Sequence, residues 1–255
     1  MHSLLCRLDN FGVVTVTIKA LIWDWGNVLV SWRPADLFNQ LISNPAQATW
    51  WSTHAFSPAW NTLGDKGMPY AEANKIWEQD FTTRHADQIS VYPKYRALIA
   101  AYGNHPEETH AFRNEQTLAL RDGLATSYPT FALTNVLQDN WERVNRAHGG
   151  VFDRNFREII MSSQQGIAKP DDGIFQKTIS MLNRHGLDAR EALFIDDSIK
   201  NIEASQRNGL PAVQFHNAAQ LVRDLTQHGV QAQQILLPTV EWVRANGTGQ
   251  IKPIM

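Results

Sequence analysis

The sequence predicts an α/β protein, a doubly wound parallel sheet joined to a small helical unit. Three observations predict it. Short, unbroken apolar runs recur at Ala20–Trp23, Thr130–Leu133, Glu158–Met161, Ala192–Ile195 and Ala212–Phe215, each ended by polar or turn residues. Runs of this kind suit strands buried on both faces. Segments of helical period separate the later runs, which implies βαβ units and a sheet covered on both sides. After the first run, by contrast, the chain shows helical spacing and no strand period as far as about Gly103.

The elements follow in order. Residues 1–16 precede the first strand; Val13–Thr17 alternates weakly and receives no role. Ala20–Trp23 runs into Asp24, a Gly26-Asn27 turn and a second apolar run, Val28–Val30. Trp32-Arg33-Pro34 closes this unit, and Pro34 suits the first turn of a helix. Three apolar stripes fill the insertion: Leu37, Phe38, Leu41, Ile42; then Ala73, Ile76, Trp77, Phe81; then Tyr92, Tyr95, Ile99, Tyr102. Breaks fall at Ser57-Pro58 and at Gly64–Gly67 before Pro69. Trp50, Trp51, Trp60 and Trp77 belong to the core of this unit, which at roughly seventy residues is near the low end of domain size. Downstream, helices are expected to end near Leu124, to carry Leu137, Trp141, Val144 and His148, to carry Ile174, Phe175, Ile179 and Leu182, and to span 199–207 with Gly209 as the stop. A last helix carries Ala218, Leu221, Val222 and Leu225. The tail beyond Gly229, with Ile235-Leu236-Leu237 and Trp242, is expected to pack on the core. The expected division is therefore a core of 17–32 and 104–230, a helical unit of 33–103, an extension of 1–16 and a tail of 231–255.

Composition narrows the function classes. Hydrophobic residues at 43% and charged residues at 19% describe an ordinary globular chain. A net charge of −2 argues against nucleic acid or anionic membrane as a partner. The single cysteine, Cys6, excludes an internal disulfide framework and fits a reducing, cytoplasmic setting. Lys19 and Asp24 interrupt the apolar stretch from Phe11 to Val30, so no membrane span is expected. A monomer or homodimer acting on a small molecule is the expected form.

The polar residues carry the chemistry. Asp24, Thr134 and Asp196-Asp197 each directly follow an apolar strand, and Lys169 precedes a helix in GIAKPDDGIF. In a doubly wound sheet these positions converge on one edge. Carboxylates, a hydroxyl and a lysine on a shared rim suit a divalent cation and a phosphate. Mg²⁺ is commonly held by one or two carboxylates with substrate phosphate, and helix N-termini add amide donors. Each residue also has a plainer reading. Asp24 would serve as a turn aspartate, Thr134 as a helix cap, Lys169 as a surface lysine and one of Asp196-Asp197 as a cap. Asn201 stands equally as ligand or as structural support, and Ser162-Ser163 as the end of a strand. Lys66, Arg33, His54 and Trp60 are candidate pocket residues with equally plain structural readings. The histidines show no zinc spacing.

In the order Asp24 in IWDWGNVLV, Thr134 in ALTN, Lys169 in GIAKPDDGIF and Asp196-Asp197 with Asn201 in FIDDSIKNIEA, the sequence resembles the haloacid dehalogenase superfamily. Within it the likeness is nearest to bacterial glucose-1-phosphate-phosphatase-like members whose first motif reads Asp-x-Gly-Asn. The resemblance implies a Rossmann-like core, with the helical unit as a mobile cap between the first two motifs. It implies a Mg²⁺-dependent phosphatase in which Asp24 forms an aspartyl-phosphate. Mg²⁺ would be held by Asp24, the Gly26 carbonyl and Asp197, with Asp196 or Asn201 in support. Thr134 and the amide of Asn135 would bind phosphoryl oxygens, and Lys169 would balance charge.

One position departs from the family pattern. Most of its phosphatases carry a second aspartate two residues after the nucleophile, as general acid and base; here that residue is Gly26. Proton transfer by a placed group is worth roughly a hundredfold to ten-thousandfold. Either water or a cap residue takes over, or the leaving group needs little help, as in a sugar 1-phosphate or acyl phosphate. Two alternatives stand beside the phosphatase. One is a metal-free 2-haloacid dehalogenase, although dehalogenases of the family carry neutral serines where Asp196-Asp197 stand and Tyr where Phe175 stands. The other is a binding or regulatory protein that has lost turnover.

Overall fold

The structure is a computed structural model, and it describes residues 17–255. Cys6 and all but the last residue of the Val13–Thr17 run lie outside the described residues. Strand β1 (Ala20–Trp23) opens the sheet. Six α-helices follow: α1 (Pro34–Leu41), α2 (Pro45–Trp50), α3 (Pro58–Asp65), α4 (Tyr70–Arg84), α5 (Tyr95–Asn104) and α6 (Pro106–Thr109). Then come β2 (Phe112–Asn114), α7 (Glu115–Leu124), β3 (Thr130–Thr134), α8 (Gln138–Ala147), β4 (Phe156–Met161) and α9 (Ser162–Gln165). The chain continues through α10 (Asp172–Arg184), β5 (Ala192–Asp196), α11 (Ile199–Arg207), β6 (Ala212–Gln214), α12 (Ala218–Gln227) and β7 (Trp242–Arg244).

The expected parallel α/β sheet is present. Its five strands run in the order β4-β3-β1-β5-β6, with every pairing parallel. The chain builds outward from β1 to one side through β3 and β4. It then returns to the other side through β5 and β6. This reversal places the switch point at the carboxyl end of β1, where open sheets bind their ligands.

The central strand is buried along its whole length, and its side chains alternate between two cores. Leu21 and Trp23 join Leu193, Ile195 and residues of α7, α8 and α12 on one face. Ala20 and Ile22 join Phe131, Leu133, Phe194 and residues of α10 and α11 on the other. A third core belongs to the helices after β1: Leu37, Phe38, Trp51, Trp77 and Phe81 are fully buried. Pro34 opens a helix as expected. Pro45 and Pro58 each open one too, the latter at the Ser57-Pro58 break, and Asn44 caps α2 by accepting from the amides of Ala46 and Gln47.

Several expectations need correction. Ile76 is 44% exposed, because the stripe of α4 that faces α3 and α5 advances by fours through Ala73, Trp77 and Phe81 and leaves Ile76 on its flank. Trp50 is only half-buried, stacking on His54 and Tyr92 at the margin of the helical core. In the tail, Ile235 and Leu237 pack on the sheet side, but Leu236 points to solvent. Two short strands escaped notice: β2 and β7 pair antiparallel, far apart in sequence and too short to show a period. Past β7, Ile251, Ile254 and Met255 lie against the helical core. There the Leu41 carbonyl accepts from the amides of Ile254 and Met255, and the Ser43 amide donates to the Met255 carbonyl. Among the described residues no helix is long and apolar enough to cross a membrane.

Burial separates two isoleucines of equal size. Ile22→Ala, at a fully buried position, is expected to cost about 2–5 kcal/mol. Ile76→Ser on the flank of α4 is expected to stay within about 0.5 kcal/mol of wild type. Urea denaturation midpoints measure both.

Candidate active site

The end of β1 fixes Asp24: its amide donates to the Ile195 carbonyl at 2.8 Å, extending the sheet ladder one residue beyond the strand. The chain then folds tightly. The amides of Leu29 and Val30 both donate to the Trp25 carbonyl, and Asn27 takes φ of +57°. The left-handed residue of the turn is thus Asn27, a residue type that tolerates it. Its side chain ties the turn to the neighbouring strand end: Nδ2 donates to Asp197 Oδ2 at 3.0 Å, while Oδ1 accepts the Trp32 amide. Gly26 faces open space; a Cβ built there meets nothing within 4 Å.

Lys169 is the hub. Its ammonium donates to Asp24 Oδ1 at 2.7 Å, Asp196 Oδ2 at 2.6 Å and the Leu133 carbonyl at 3.0 Å, with the side chain almost wholly buried. Asn135 holds the backbone of this lysine from both sides, donating to the Lys169 carbonyl and accepting its amide, each at 2.9 Å. Asp196 is saturated by Lys169, by the Ser198 amide and by the Asn201 side-chain amide, which spans both carboxylate oxygens. Asn201 thereby orients Asp196. Thr134 ends β3 on the same edge, buried beside Asn135. Asp24, Asp196 and Asp197 each present a carboxylate oxygen within 4.8 Å of the others. Three carboxylates facing one ammonium leave an excess of negative charge that a hard divalent cation with oxygen ligands would balance, so this donor set fits Mg²⁺.

The electrostatics follow from this crowding. Burial pushes the Asp24 carboxyl well above its usual range; Lys169 opposes the rise, and Asp196 and Asp197 add to it. Asp197 is raised by burial and by Asp196, with Asn27 and Lys169 pulling the other way. For Lys169, burial favours the neutral form, but Asp196 and Asp24 win and hold it above the ordinary lysine value.

A cavity of about 270 Å³ opens above these groups. Its roof comes from the helical layer and the turn before it: Trp32, Asn61, Asp65, Tyr70 and Tyr102. They form a connected chain. Trp32 Nε1 donates to the Tyr102 hydroxyl, which donates to Asn61 Oδ1 at 2.8 Å; Asn61 Nδ2 donates to Asp65 Oδ2 at 3.1 Å. Tyr70 accepts from Asn140 Nδ2 at 2.8 Å. Gly103 leaves room for its ring, since a Cβ there would stand 2.7 Å from it. Ser162 joins roof to floor, its hydroxyl donating to the Asp65 carbonyl at 2.5 Å and accepting the Val136 amide. Gly67, at φ +95° and with only 2.7 Å between a Cβ and the Ser163 carbonyl, allows the same close approach.

All the sequence-derived rim residues therefore converge: Asp24, Gly26, Thr134, Asn135, Lys169, Asp197 and Asn201 line the one cavity, with Asp196 beneath it. The candidate roof residues do not. Arg33, His54, Lys66 and Trp60 stay outside its lining, and Lys66 pairs with Asp171 at 2.9 Å near the surface. Ser162 does more than end a strand. Asp65 and His110 were missed. A signal existed for Asp65, an acid in the last turn of a helix, where the macrodipole disfavours negative charge. His110 is buried against Trp25, its Nδ1 donating to the Pro106 carbonyl, and burial lowers it to about 4.

Comparison with known proteins bears on the family and the fold. The sequence profile of the haloacid dehalogenase-like hydrolases matches residues 18–209. The chain belongs to that family of hydrolases. A sesquiterpene phosphatase, AstK, of Aspergillus oryzae is 23% identical over 83% of this chain and 96% of its own. Among solved structures, a HAD family enzyme of Bacteroides thetaiotaomicron, in complex with magnesium and inorganic phosphate, shares 21% identity at a TM-score of 0.55, covering 78% of this chain and 94% of that one. An L-2-haloacid dehalogenase of Xanthobacter autotrophicus with chloropropionic acid covalently bound gives 13% and 0.56, covering 89% and 93%. At these identities the structural likeness shows the fold.

The buried imidazole sets a pH dependence. His110 binds its proton less readily folded than unfolded, so its contribution is complete above the unfolded value near 6.5 and is lost as pH falls toward 4. The difference in unfolding free energy between wild type and His110→Gln, followed from pH 7 to 4, is expected to shift by about 3 kcal/mol against the wild type.

Proposed function

We propose that this protein is a Mg²⁺-dependent hydrolase of small phosphomonoesters, working through an aspartyl-phosphate on Asp24. Residues 17–32 and 104–230 form the catalytic core and residues 33–103 its cap. The observation that carries the reading is Lys169 bridging Asp24 and Asp196, with Asp197 alongside. A metal-free dehalogenase has no use for the further carboxylates of Asp196 and Asp197, which stand within reach of Asp24.

Asp24, the Gly26 carbonyl and Asp197 would hold Mg²⁺, with Asp196 and Asn201 in support through the contacts that fix Asp196. When bound, the cation withdraws charge from the phosphoryl oxygens and keeps Asp24 ionised. Lys169 holds the attacking Asp24 oxygen in place and balances the charge of the group in transfer. Thr134 and the backbone amide of Asn135 bind phosphoryl oxygens at the carboxyl end of β3. Asp24 attacks phosphorus and the ester oxygen leaves; water then cleaves the acyl phosphate and frees Asp24.

The roof supports the substrate class. Trp32, Tyr70, Tyr102 and Asn61 offer aromatic faces and neutral hydrogen-bonding groups and no cation. That chemistry suits an uncharged, hydroxyl-bearing leaving group, a sugar phosphate above all.

A panel of phosphate esters weighted toward sugar 1-phosphates tests the reading. Phosphate release with Mg²⁺, stopped by EDTA and restored by excess Mg²⁺, is the expected result. Asp24→Asn is expected to lower turnover by about a thousandfold or more. Metal-independent halide release from 2-haloacids, with no ester cleaved, would replace the phosphatase with the dehalogenase.

A further inference from the structure

We infer that Asp65, carried by the helical layer, is the proton-transferring group of the reaction, the general acid to the leaving oxygen and then the base toward water. The inference rests on the phosphatase reading and deepens it.

Three placements argue for it. The position that would carry the acid on the floor is Gly26, and the space beside it is open. Asp65 lines the same cavity from the opposite side. It is anchored there through its own backbone, since the Ser162 hydroxyl donates to its carbonyl and Val136 donates to that hydroxyl. Its Oδ2 accepts from Asn61, at the end of the chain of hydrogen bonds that begins at Trp32. Among the described residues Oδ1 has no hydrogen-bond partner. A carboxyl pinned through one oxygen, with the other unpaired, is placed to give and take a proton.

The surroundings suit both directions. The titratable groups around it are Tyr70 from α4, Tyr102 from α5, and Lys169 from the loop before α10; neighbouring Lys66 is engaged by Asp171. Burial raises the Asp65 carboxyl to about 7, with Lys169 opposing, and its place in the last turn of α3 acts in the same direction. An acid near neutrality is the best compromise between holding a proton and releasing it. The rivals lack a usable proton. Burial raises Tyr70 and Tyr102 above the ordinary tyrosine range, and His110 stays neutral with its proton held by the Pro106 carbonyl.

The steps balance. As Asp24 Oδ bonds to phosphorus, the bond from phosphorus to the ester oxygen breaks and that oxygen takes the Asp65 proton. The products are a neutral alcohol, the aspartyl-phosphate and an Asp65 carboxylate. The carboxylate then accepts a proton from water as the water oxygen attacks phosphorus. The bond to Asp24 breaks, inorganic phosphate leaves and Asp65 is again protonated.

Leaving-group chemistry tests this with Mg²⁺ present. Asp65→Asn is expected to slow the first turnover of a sugar or alkyl phosphate about a hundredfold or more. With p-nitrophenyl phosphate, whose leaving group needs no proton, the first-turnover burst is expected to persist and only the later steady state to slow. Gly26→Asp added to Asp65→Asn is expected to restore at least a tenth of the lost rate. In the unaltered protein, first-turnover rates on the alkyl ester are expected to fall tenfold per pH unit above about 7, while those on the nitrophenyl ester do not. This last measurement needs no variant to fold. Equal slowing of both first turnovers by Asp65→Asn, or an alkyl-ester rate without that alkaline limb, would overturn the assignment to Asp65. No phosphate from either ester with unaltered protein would overturn the hydrolase reading beneath it.

Discussion

One ammonium group holds the site together. Lys169 meets carboxylates from the ends of β1 and β5 and a carbonyl from the end of β3, so three parallel strands are tied at a single nitrogen. A charge buried so deeply is tolerated only when each of its donors is matched. That requirement fixes the strand ends relative to one another to within the length of a hydrogen bond. Everything around it serves the same fixation. Asn135 grips the backbone of the lysine, Asn201 and Ser198 fill the remaining positions of Asp196, and Asn27 draws Asp197 into line. The three carboxylates fit a dication, and burial, with the neighbouring carboxylates adding to it, raises the affinity of Asp24 and Asp197 for protons.

The helical layer completes what the sheet edge leaves open. A sheet supplies side chains only at its rim, and here the rim offers Gly26, which carries no side chain and faces open space. The turn after α3 descends on the opposite wall, brought there by Ser162 and by a glycine at Gly67 that accepts a backbone oxygen at close range. Floor and roof therefore meet at the Ser162 hydroxyl, which donates to the Asp65 carbonyl and so holds the backbone of Asp65 itself. The aromatic groups beside it, linked by hydrogen bonds, have little freedom to rearrange.

The parts legible in the sequence are those written in short-range patterns. Buried strands read directly from their apolar runs; Thr130–Thr134 begins and ends where the run does, and Asp24 and Asp196-Asp197 follow from their positions after such runs. The helix start at Pro34 is legible, and the break at Pro58, because proline acts through its own geometry. The roof was not. Asp65 looked like part of a Gly-Asp-Lys-Gly break, and its meaning depends on Ser162, far along the chain and itself dismissed as a strand terminus. Tyr102 was placed correctly in an apolar stripe, yet its hydroxyl also faces the cavity, and periodicity cannot register a residue serving both. Ile76 failed for a related reason: a stripe shows which residues are able to be covered, whereas the neighbouring helices decide which are. The β2–β7 pair lies beyond any local pattern, because its partners are separated by most of the sheet.

That pair has a mechanical consequence. A helical layer joined to a sheet only by an outgoing and a returning segment is free to swing about both, like a door on adjacent hinges. Here the chain leaves the sheet, runs beside β2 as β7 and crosses back to end against α1, where Leu41 and Ser43 bond its last residues. Lys94 adds a contact to the Ile254 carbonyl. A third tether on the far side makes any wide rotation of the layer break backbone hydrogen bonds at the strap. The roof is thereby braced like a bridge supported at both banks.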